Sequence, residues 1–158
     1  MFNVKQLMPA EYPLVNRFYK AQGYKGKARG NEIVFTLQQR QIVAALRIVP
    51  LAEQWLLRGV WVNSKMRRQG LGQALLEGIT PLLTMSEYYC FAERNVVPFY
   101  LKVGFIMLDS HTLPVPILQR FKTYQQRNAQ LRPLMWQRPS SPDEHLDQPE
   151  CQSHSLQT

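Results

Sequence analysis

One stretch of the chain, from Leu56 to Glu77, constrains the fold more than any other. It begins as an apolar strand that ends at Val62, continues as a polar and basic loop, and enters an apolar helical pattern at Gly70 and Gly72. Glycine has no Cβ and tolerates positive φ, so these two residues allow backbone amides to approach a ligand closely. Because the first N–H groups of a helix are unpaired and carry the positive end of its dipole, the stretch predicts an anion-binding loop.

The glycine pattern excludes two common kinds of phosphate site. A P-loop requires Gly-Lys-Ser or Gly-Lys-Thr, and neither tripeptide occurs in the chain. The dinucleotide-binding fingerprint requires a third glycine three residues after Gly72, where this chain has Leu75. Arg67 and Arg68 add positive charge just before the glycines, so the loop still predicts contact with a phosphate group in another kind of ligand.

The length of 158 residues and the apolar content of 45% predict a single folded domain over residues 1–138, followed by a polar, flexible tail over residues 139–158. The domain contains all 19 Lys and Arg residues and 7 acidic residues, whereas the tail contains 4 acidic residues. A basic domain can bind nucleic acid, an anionic membrane or a polyanionic small ligand. Because the basic residues are scattered, with Arg67-Arg68 the only adjacent pair, we favour a phosphate-rich small ligand over nucleic acid.

The two cysteines, Cys90 and Cys151, fall in a predicted core strand and in the polar tail. Their spacing predicts neither a disulfide framework nor a metal site. The first residues show no signal-peptide pattern, and no apolar run approaches the roughly 20 residues of a membrane span. We therefore expect a cytoplasmic protein with no membrane partner.

The residue pattern predicts an α/β fold. Strands are predicted at 2–7, 32–37, 42–49, 54–62, 88–92, 106–108 and 133–138, and helices after Pro9, after Gly70, within 95–105 and over 113–128. The strands at 32–37 and 42–49 are expected to form a hairpin. Pro81 is expected to end the helix after Gly70, because proline removes a backbone hydrogen bond and clashes with the preceding turn.

Two motifs in this chain resemble those of the GNAT N-acetyltransferase superfamily. The first is the acyl-CoA loop of that family, which follows a strand and here reads Arg67-Arg68-Gln69-Gly70-Leu71-Gly72. The second begins at Asn95, continues as Phe99-Tyr100-Leu101-Lys102 and ends in Gly104-Phe105. The two motifs occur in the family's order, and the resemblance covers about residues 2–108.

The resemblance implies the GNAT acyl-CoA N-acyltransferase fold, in which a mostly antiparallel sheet contains one parallel pair of strands that splay apart, with helices on its flanks. Acetyl-CoA would place its pantetheine arm between the strands at 54–62 and 88–92, bonded by main-chain groups of Val60 and Val62. The residues that the resemblance assigns to acetyl-CoA are Val60, Trp61, Val62, Arg67, Arg68, Gln69, Gly70, Leu71, Gly72, Gln73, Asn95, Phe99 and Lys102.

The implied reaction is direct attack of an amine on a thioester. The N–H near Val60 is expected to polarise the thioester carbonyl, and Tyr100 is the candidate general acid for the departing thiolate. The strand at 56–62 contains no carboxylate to serve as a base. Glu53 precedes that strand, Glu93 follows the next, and His111 lies farther on. Glu93 and Glu53 are the candidates for the base, and a water chain or direct capture of the small neutral fraction of the amine are the other options.

The expected function is transfer of an acetyl group from acetyl-CoA to a primary amine of a small molecule or a protein. The alternative is an acyl-CoA-binding regulatory module without efficient catalysis, which the missing strand carboxylate leaves open. Nucleic-acid binding rests on the net charge alone. A homodimer is a further expectation, with the helix at 113–128 and Trp136 as candidate contacts, and the identity of the acceptor does not follow from the residues.

Overall fold

The structure is a computed structural model that describes residues 1–139. The strands are β1 (Asn3–Gln6), β2 (Ile33–Gln38), β3 (Ile42–Leu51), β4 (Gln54–Val62), β5 (Glu87–Glu93), β6 (Ile106–Met107) and β7 (Leu131–Gln137), and the helices are α1 (Tyr12–Ala21), α2 (Leu71–Ile79), α3 (Val97–Lys102) and α4 (Val115–Arg127). The predicted tail, apart from Pro139, lies outside the described residues, and so does Cys151.

The described strands form one mixed sheet in the order β1-β2-β3-β4-β5-β7-β6. β4 and β5 are parallel, whereas every other neighbouring pair is antiparallel. The predicted fold class, with one parallel pair in a mostly antiparallel sheet, is confirmed, and so is the hairpin of β2 and β3. β7 comes last in the chain but lies between β5 and β6.

α2 begins at the glycines that the sequence singles out. Gly70 is its N-cap, with a φ of 76° in the left-handed region that glycine adopts without strain. The helix buries Leu71, Leu75 and Ile79 against the sheet, following the 3.6-residue period. It ends at Ile79, and Pro81 lies in the short 3₁₀ turn that follows, as predicted.

Helices cover both faces of the sheet. Adjacent residues of a strand point to opposite faces, and Ala44 packs in the cluster that includes α2, whereas Ala45 packs with α1. In the same way, Leu57 of β4 packs with α2 and α3, whereas Leu56 packs with α4. α2 and α3 therefore lie on one face, and α1 and α4 lie on the other.

Trp136 of β7 belongs to the core. Its side chain is buried, and its ring centroid lies 5.3 Å from that of Tyr88 on β5. The apolar surface of this indole is therefore already covered within the chain. Trp136 consequently offers little exposed side-chain surface for the contact with a second copy that the sequence suggests.

Candidate functional site

A cleft opens where β4 and β5 separate. The two strands pair only at Leu56 with Tyr89 and at Leu57 with Cys90. Beyond Leu57, the edge of β4 that faces β5 has no strand partner among the described residues. A cavity of about 940 Å³ fills the gap. The splayed pair expected from the sequence is therefore present, and main-chain groups of β4 lie along one wall of the cleft.

A β-bulge in β4 accompanies this separation. Ala45 of β3 pairs with Trp61 and Arg47 pairs with Arg58, so one residue of β3 opposes both Gly59 and Val60. A bulge bends its strand and increases the local twist, which turns β4 away from β5.

Gly59 is required at the bulge. Its φ is 64°, and its carbonyl oxygen accepts a 2.7 Å hydrogen bond from the hydroxyl of Tyr19. A Cβ at this position would lie 2.9 Å from that same hydroxyl oxygen. Sequence reasoning did not single out Gly59, although an isolated glycine inside an apolar strand is itself a signal for a bulge.

A second cavity, of about 440 Å³, lies at the start of α2. It shares Val60, Arg67, Val96 and Tyr100 with the larger cavity, so the two form one continuous cleft. Ten of the thirteen residues assigned to acetyl-CoA line this second cavity. They are Val60, Val62, Arg67, Arg68, Gly70, Leu71, Gly72, Gln73, Phe99 and Lys102.

The two glycines leave room in front of α2. A Cβ on Gly70 would meet no atom within 4 Å, so open space faces the first turn of the helix. Gly72 is buried, and a Cβ there would lie 3.2 Å from Cζ of Phe99 and 3.6 Å from Cγ2 of Val62. Open space therefore forms a passage in front of Gly70, whereas the missing side chain of Gly72 lets Phe99 of α3 pack close to the helix. Unpaired N–H groups at the start of a helix favour a phosphate group at such a place.

The charges around this passage are positive. Arg67, Arg68 and Lys102 are exposed and line the cavity, and none of its lining residues is acidic. The Nε of Arg67 donates a 3.2 Å hydrogen bond to the carbonyl oxygen of Val62, and its guanidinium lies 5.3 Å from the ring centroid of Trp61. The loop thus combines cationic side chains with the positive end of the α2 dipole.

Three of the assigned residues lie elsewhere. Trp61 lines the larger cavity, on the side where it packs against Tyr24. Gln69 and Asn95 are exposed in the two loops and line neither cavity. A role in holding a ligand within the cleft is therefore not supported for these two side chains.

Tyr100 of α3 lies at the junction of the two cavities. It lines both of them and is only 7% exposed. Burial, together with the adjacent thiol of Cys90, raises the pKa of this phenol well above its usual value. The phenol of Tyr100 consequently stays protonated at physiological pH.

The candidate bases lie in different surroundings. Glu93 lines the larger cavity, and its Oε1 accepts a 3.0 Å hydrogen bond from Nδ2 of Asn128. Glu53 lies in the turn before β4, at the opposite end of that strand from the cleft, roughly 20 Å from Val60 at the usual rise per residue. His111 lies outside the cleft, with Nε2 2.9 Å from Oδ2 of Asp109. The structure brings only Glu93 to the cleft.

The described part of the chain contains neither a membrane-spanning candidate nor a metal-site candidate. Within residues 1–139, no helix combines the length and the apolar character needed to cross a bilayer. In the same range, no three His, Cys, Asp or Glu residues cluster as metal ligands do.

Comparisons with known proteins agree on one family. A family profile described as an acetyltransferase (GNAT) domain matches residues 30–107. No curated protein matches the sequence. The fold resembles the ribosomal-protein-S18-alanine N-acetyltransferase of Escherichia coli, with a TM-score of 0.62 and 14% identity over 90% of this chain and 97% of that one. It also resembles a GNAT acetyltransferase of Staphylococcus aureus Mu50, with a TM-score of 0.60 and 12% identity over 87% of this chain and 99% of the other.

A larger protein shares the same fold over part of its length. N-acetylglutamate synthase from Neisseria gonorrhoeae, in complex with coenzyme A and N-acetyl-glutamate, gives a TM-score of 0.64 and 16% identity over 89% of this chain. The match covers 36% of the synthase chain, so the present chain spans about a third of that protein. At these identities, the likeness concerns the fold.

Proposed function

We propose, on the premise that the chain contains a GNAT acetyltransferase domain, that it transfers an acetyl group from acetyl-CoA to a primary amine by direct attack. The family supports acyl transfer in general. The choice of acetyl-CoA as the donor and of an amine as the acceptor is our proposal.

The main observation in support of this proposal is that β4 and β5 separate next to the basic loop before α2. The two strands share only two register pairs, and the cleft beyond them runs on to the start of α2. A pantetheine arm has the length and the amide groups to lie along β4 as a short extra strand, bonded by the main chain at Val60 and Val62. Arg67, Arg68 and Lys102 would then face the phosphate groups. The synthase from N. gonorrhoeae was itself crystallised with coenzyme A, which supports the same use of the cleft here.

Bond formation and bond cleavage can be assigned to neighbouring groups. The amine nitrogen forms a bond to the carbonyl carbon, the bond from that carbon to sulfur breaks, and the proton lost by nitrogen ends on the sulfur. The amide N–H at Val60, beside the bulge, is our candidate for stabilising the charge that develops on the carbonyl oxygen. Tyr100 is our candidate donor to the sulfur, because it is a buried, neutral phenol at the junction of the two cavities.

Glu93 is our remaining candidate for receiving the proton of the amine. It is the one carboxylate among the described residues that lines the larger cavity. Because it is exposed and hydrogen-bonded to Asn128, it would act through a water molecule rather than by direct contact. Glu53 is too far from the cleft for this role.

Two measurements test the proposal. Isothermal titration calorimetry should show binding of acetyl-CoA, with free ADP binding more weakly because it lacks the pantetheine arm. A thiol-release assay over a panel of primary amines should then show acetyl-CoA cleavage that depends on the amine. Absence of acetyl-CoA binding would overturn the proposal. Binding without amine-dependent thiol release would instead favour the alternative, an acyl-CoA-binding module, which the lack of a carboxylate in β4 still allows.

A further inference from the structure

Two arginines lie directly opposite each other on neighbouring strands. Arg47 of β3 and Arg58 of β4 are register partners in an antiparallel pair, so their side chains lie on the same face of the sheet. Like charges in this arrangement destabilise a sheet unless each is compensated. Arg47 is compensated, because its Nη1 lies 2.9 Å from Oε1 of Glu32 in a buried ion pair.

Arg58 has no such compensation within residues 1–139. It forms no salt bridge with a described carboxylate. Its Nη1 donates a hydrogen bond to the hydroxyl of Tyr124 on α4, and its Cζ lies 4.7 Å from the centroid of that ring. The guanidinium is half-buried in the wall of the cleft. A partly desolvated cation without a counter-charge favours the arrival of an anion.

A side cavity beside Arg58 extends this positive region. It has a volume of about 430 Å³ and shares Arg58 and Tyr124 with the main cleft. Five basic side chains line it, against the single carboxylate of Glu32, which is already paired with Arg47. The basic residues are Lys27, Arg29, Arg47, Arg58 and Arg120.

The phenol of Tyr124 shows the effect of this positive field. Burial by itself would raise its pKa, but the guanidinium groups of Arg120 and Arg58 outweigh that effect and lower the pKa below its usual value. Arg120 lies one helical turn before Tyr124, with its Cζ 6.0 Å from the ring centroid. The cavity thus stabilises a negative charge that forms within it.

The position of Arg58 relates this field to the proposed reaction. Arg58 comes two residues before Val60, which corresponds to roughly 7 Å along a strand. Both residues line the larger cavity, so a group bound at Arg58 would share the cleft with a nitrogen that attacks beside Val60. On the opposite wall of the cleft, Glu93 supplies a negative charge suited to the ammonium form of the incoming amine.

Resting on the proposed function, the geometry points to an acceptor that is a small amine carrying an anionic group, a carboxylate or a phosphate, bound by Arg58 with support from Arg120. The volume of the side cavity suits a small molecule. Polyamines and other acceptors with a second positive charge are repelled from the same cavity.

Matched acceptors test this inference. The first pair is 4-aminobutyrate and n-butylamine, and the second is O-phosphoethanolamine and ethanolamine. Within each pair the main difference is the anionic group, which is a carboxylate in the first pair and a phosphate in the second. We expect the anionic member of at least one pair to have a kcat/KM about 10- to 100-fold higher, as one or two charge-assisted hydrogen bonds provide. Arg58→Gln should raise the KM of that acceptor by a similar factor with little change in kcat, whereas Arg58→Lys should retain part of the preference.

Controls separate this inference from the proposed function. Arg127→Gln removes an exposed arginine of α4 that lines none of these cavities and should leave the KM unchanged. Calorimetry of the four amines with the protein saturated with coenzyme A measures acceptor binding without turnover. If acetyl-CoA binds but the neutral amines bind and react as well as the anionic ones, the inference is overturned and the proposed function stands. If acetyl-CoA does not bind, both are overturned.

Discussion

The hydroxyl of Tyr19 on α1 donates a 2.7 Å hydrogen bond to the carbonyl oxygen of Gly59, the bulge residue of β4. Tyr19 is completely buried, and burial raises the pKa of its phenol, so the donor stays protonated. The first helix of the chain therefore fixes the position at which β4 turns away from β5. This contact connects α1, on one face of the sheet, to the cleft wall next to Val60.

Replacing Tyr19 with Phe should change both stability and turnover. Tyr19→Phe leaves a partly buried carbonyl oxygen without its donor, and we expect a loss of about 1–3 kcal/mol in the free energy of unfolding, measured by urea denaturation. Tyr12→Phe is the matched control, because it removes a 2.6 Å buried hydrogen bond from α1 to the carbonyl oxygen of Glu32, away from the bulge. Turnover should fall more for Tyr19→Phe than for Tyr12→Phe, and equal turnover in the two variants would contradict a role for Tyr19 in positioning the bulge.

The passage in front of α2 should be sensitive to a carboxylate. Gly72→Glu places a side chain where Phe99 and Val62 already lie close and adds negative charge beside the first turn of α2. We expect the dissociation constant for acetyl-CoA to rise at least about tenfold, as measured by calorimetry on protein whose circular dichroism spectrum is unchanged. Gly30→Glu adds the same charge at an exposed position with open space around it and should have no effect. Unchanged affinity in Gly72→Glu would show that the ligand does not pass this point.

Removing the hydroxyl of Tyr100 should reduce turnover without reducing acetyl-CoA affinity. For a general acid, Tyr100→Phe should lower kcat about 100-fold. Tyr88→Phe is the matched control, because Tyr88 is also a buried phenol with a raised pKa but lines neither cavity, and its kcat should stay within about twofold. If Tyr100→Phe keeps full activity, another group protonates the thiolate.

The raised pKa of Tyr100 also predicts the alkaline side of the pH profile. Burial moves the pKa upward from the usual value of 10.0, so the phenol keeps its proton until the pH exceeds that value. The kcat of the unaltered protein should therefore show no decline from loss of this proton below about pH 10. A profile measured on both the unaltered protein and Tyr100→Phe tests this expectation, because a decline below pH 10 that disappears in the variant would contradict it.

Glu32 should be essential for stability. Glu32→Gln leaves the buried guanidinium of Arg47 without its counter-charge, and we expect a loss of about 3–5 kcal/mol in the free energy of unfolding. Glu53→Gln makes the same chemical change at an exposed turn and should alter stability by less than about 0.5 kcal/mol. Denaturant titration of both variants gives the comparison. A loss below about 1 kcal/mol in Glu32→Gln would mean that the attraction between Glu32 and Arg47 is almost cancelled by the free-energy cost of burying the two charges.

The sequence predicts the local parts of this fold well. The strand, loop and helix around Gly70 and the end of α2 before Pro81 follow from residues that are neighbours in the chain. For the same reason, most of the loop residues assigned to acetyl-CoA line one cavity. Glu53 could have been excluded from the sequence, because it precedes the predicted strand, whereas the expected slot lies at the C-terminal ends of the two parallel strands; the structure has the cleft beyond Leu57.

Features that depend on strand register or on distant contacts could not be read from the sequence. The bulge at Gly59 depends on how β4 aligns with β3, and the hydrogen bond from Arg58 to Tyr124 joins residues 66 positions apart. In the sequence, Trp136 lies in the last predicted strand, where an exposed side chain is a reasonable expectation. The strand order shows that β7 lies between β5 and β6, which buries this side chain. In each case the determining partner lies on another element, so local periodicity contains no information about it.

The late insertion of β7 has a consequence for biosynthesis and for engineering. β5 pairs with β7 along its whole length, and β6 pairs only with β7, so neither strand has its full set of neighbours until residues 131–137 have left the ribosome. We therefore expect the segment 30–107, which the family profile matches, not to fold on its own. A fragment that stops before Leu131 would expose a long apolar strand edge, and we expect it to aggregate rather than to fold.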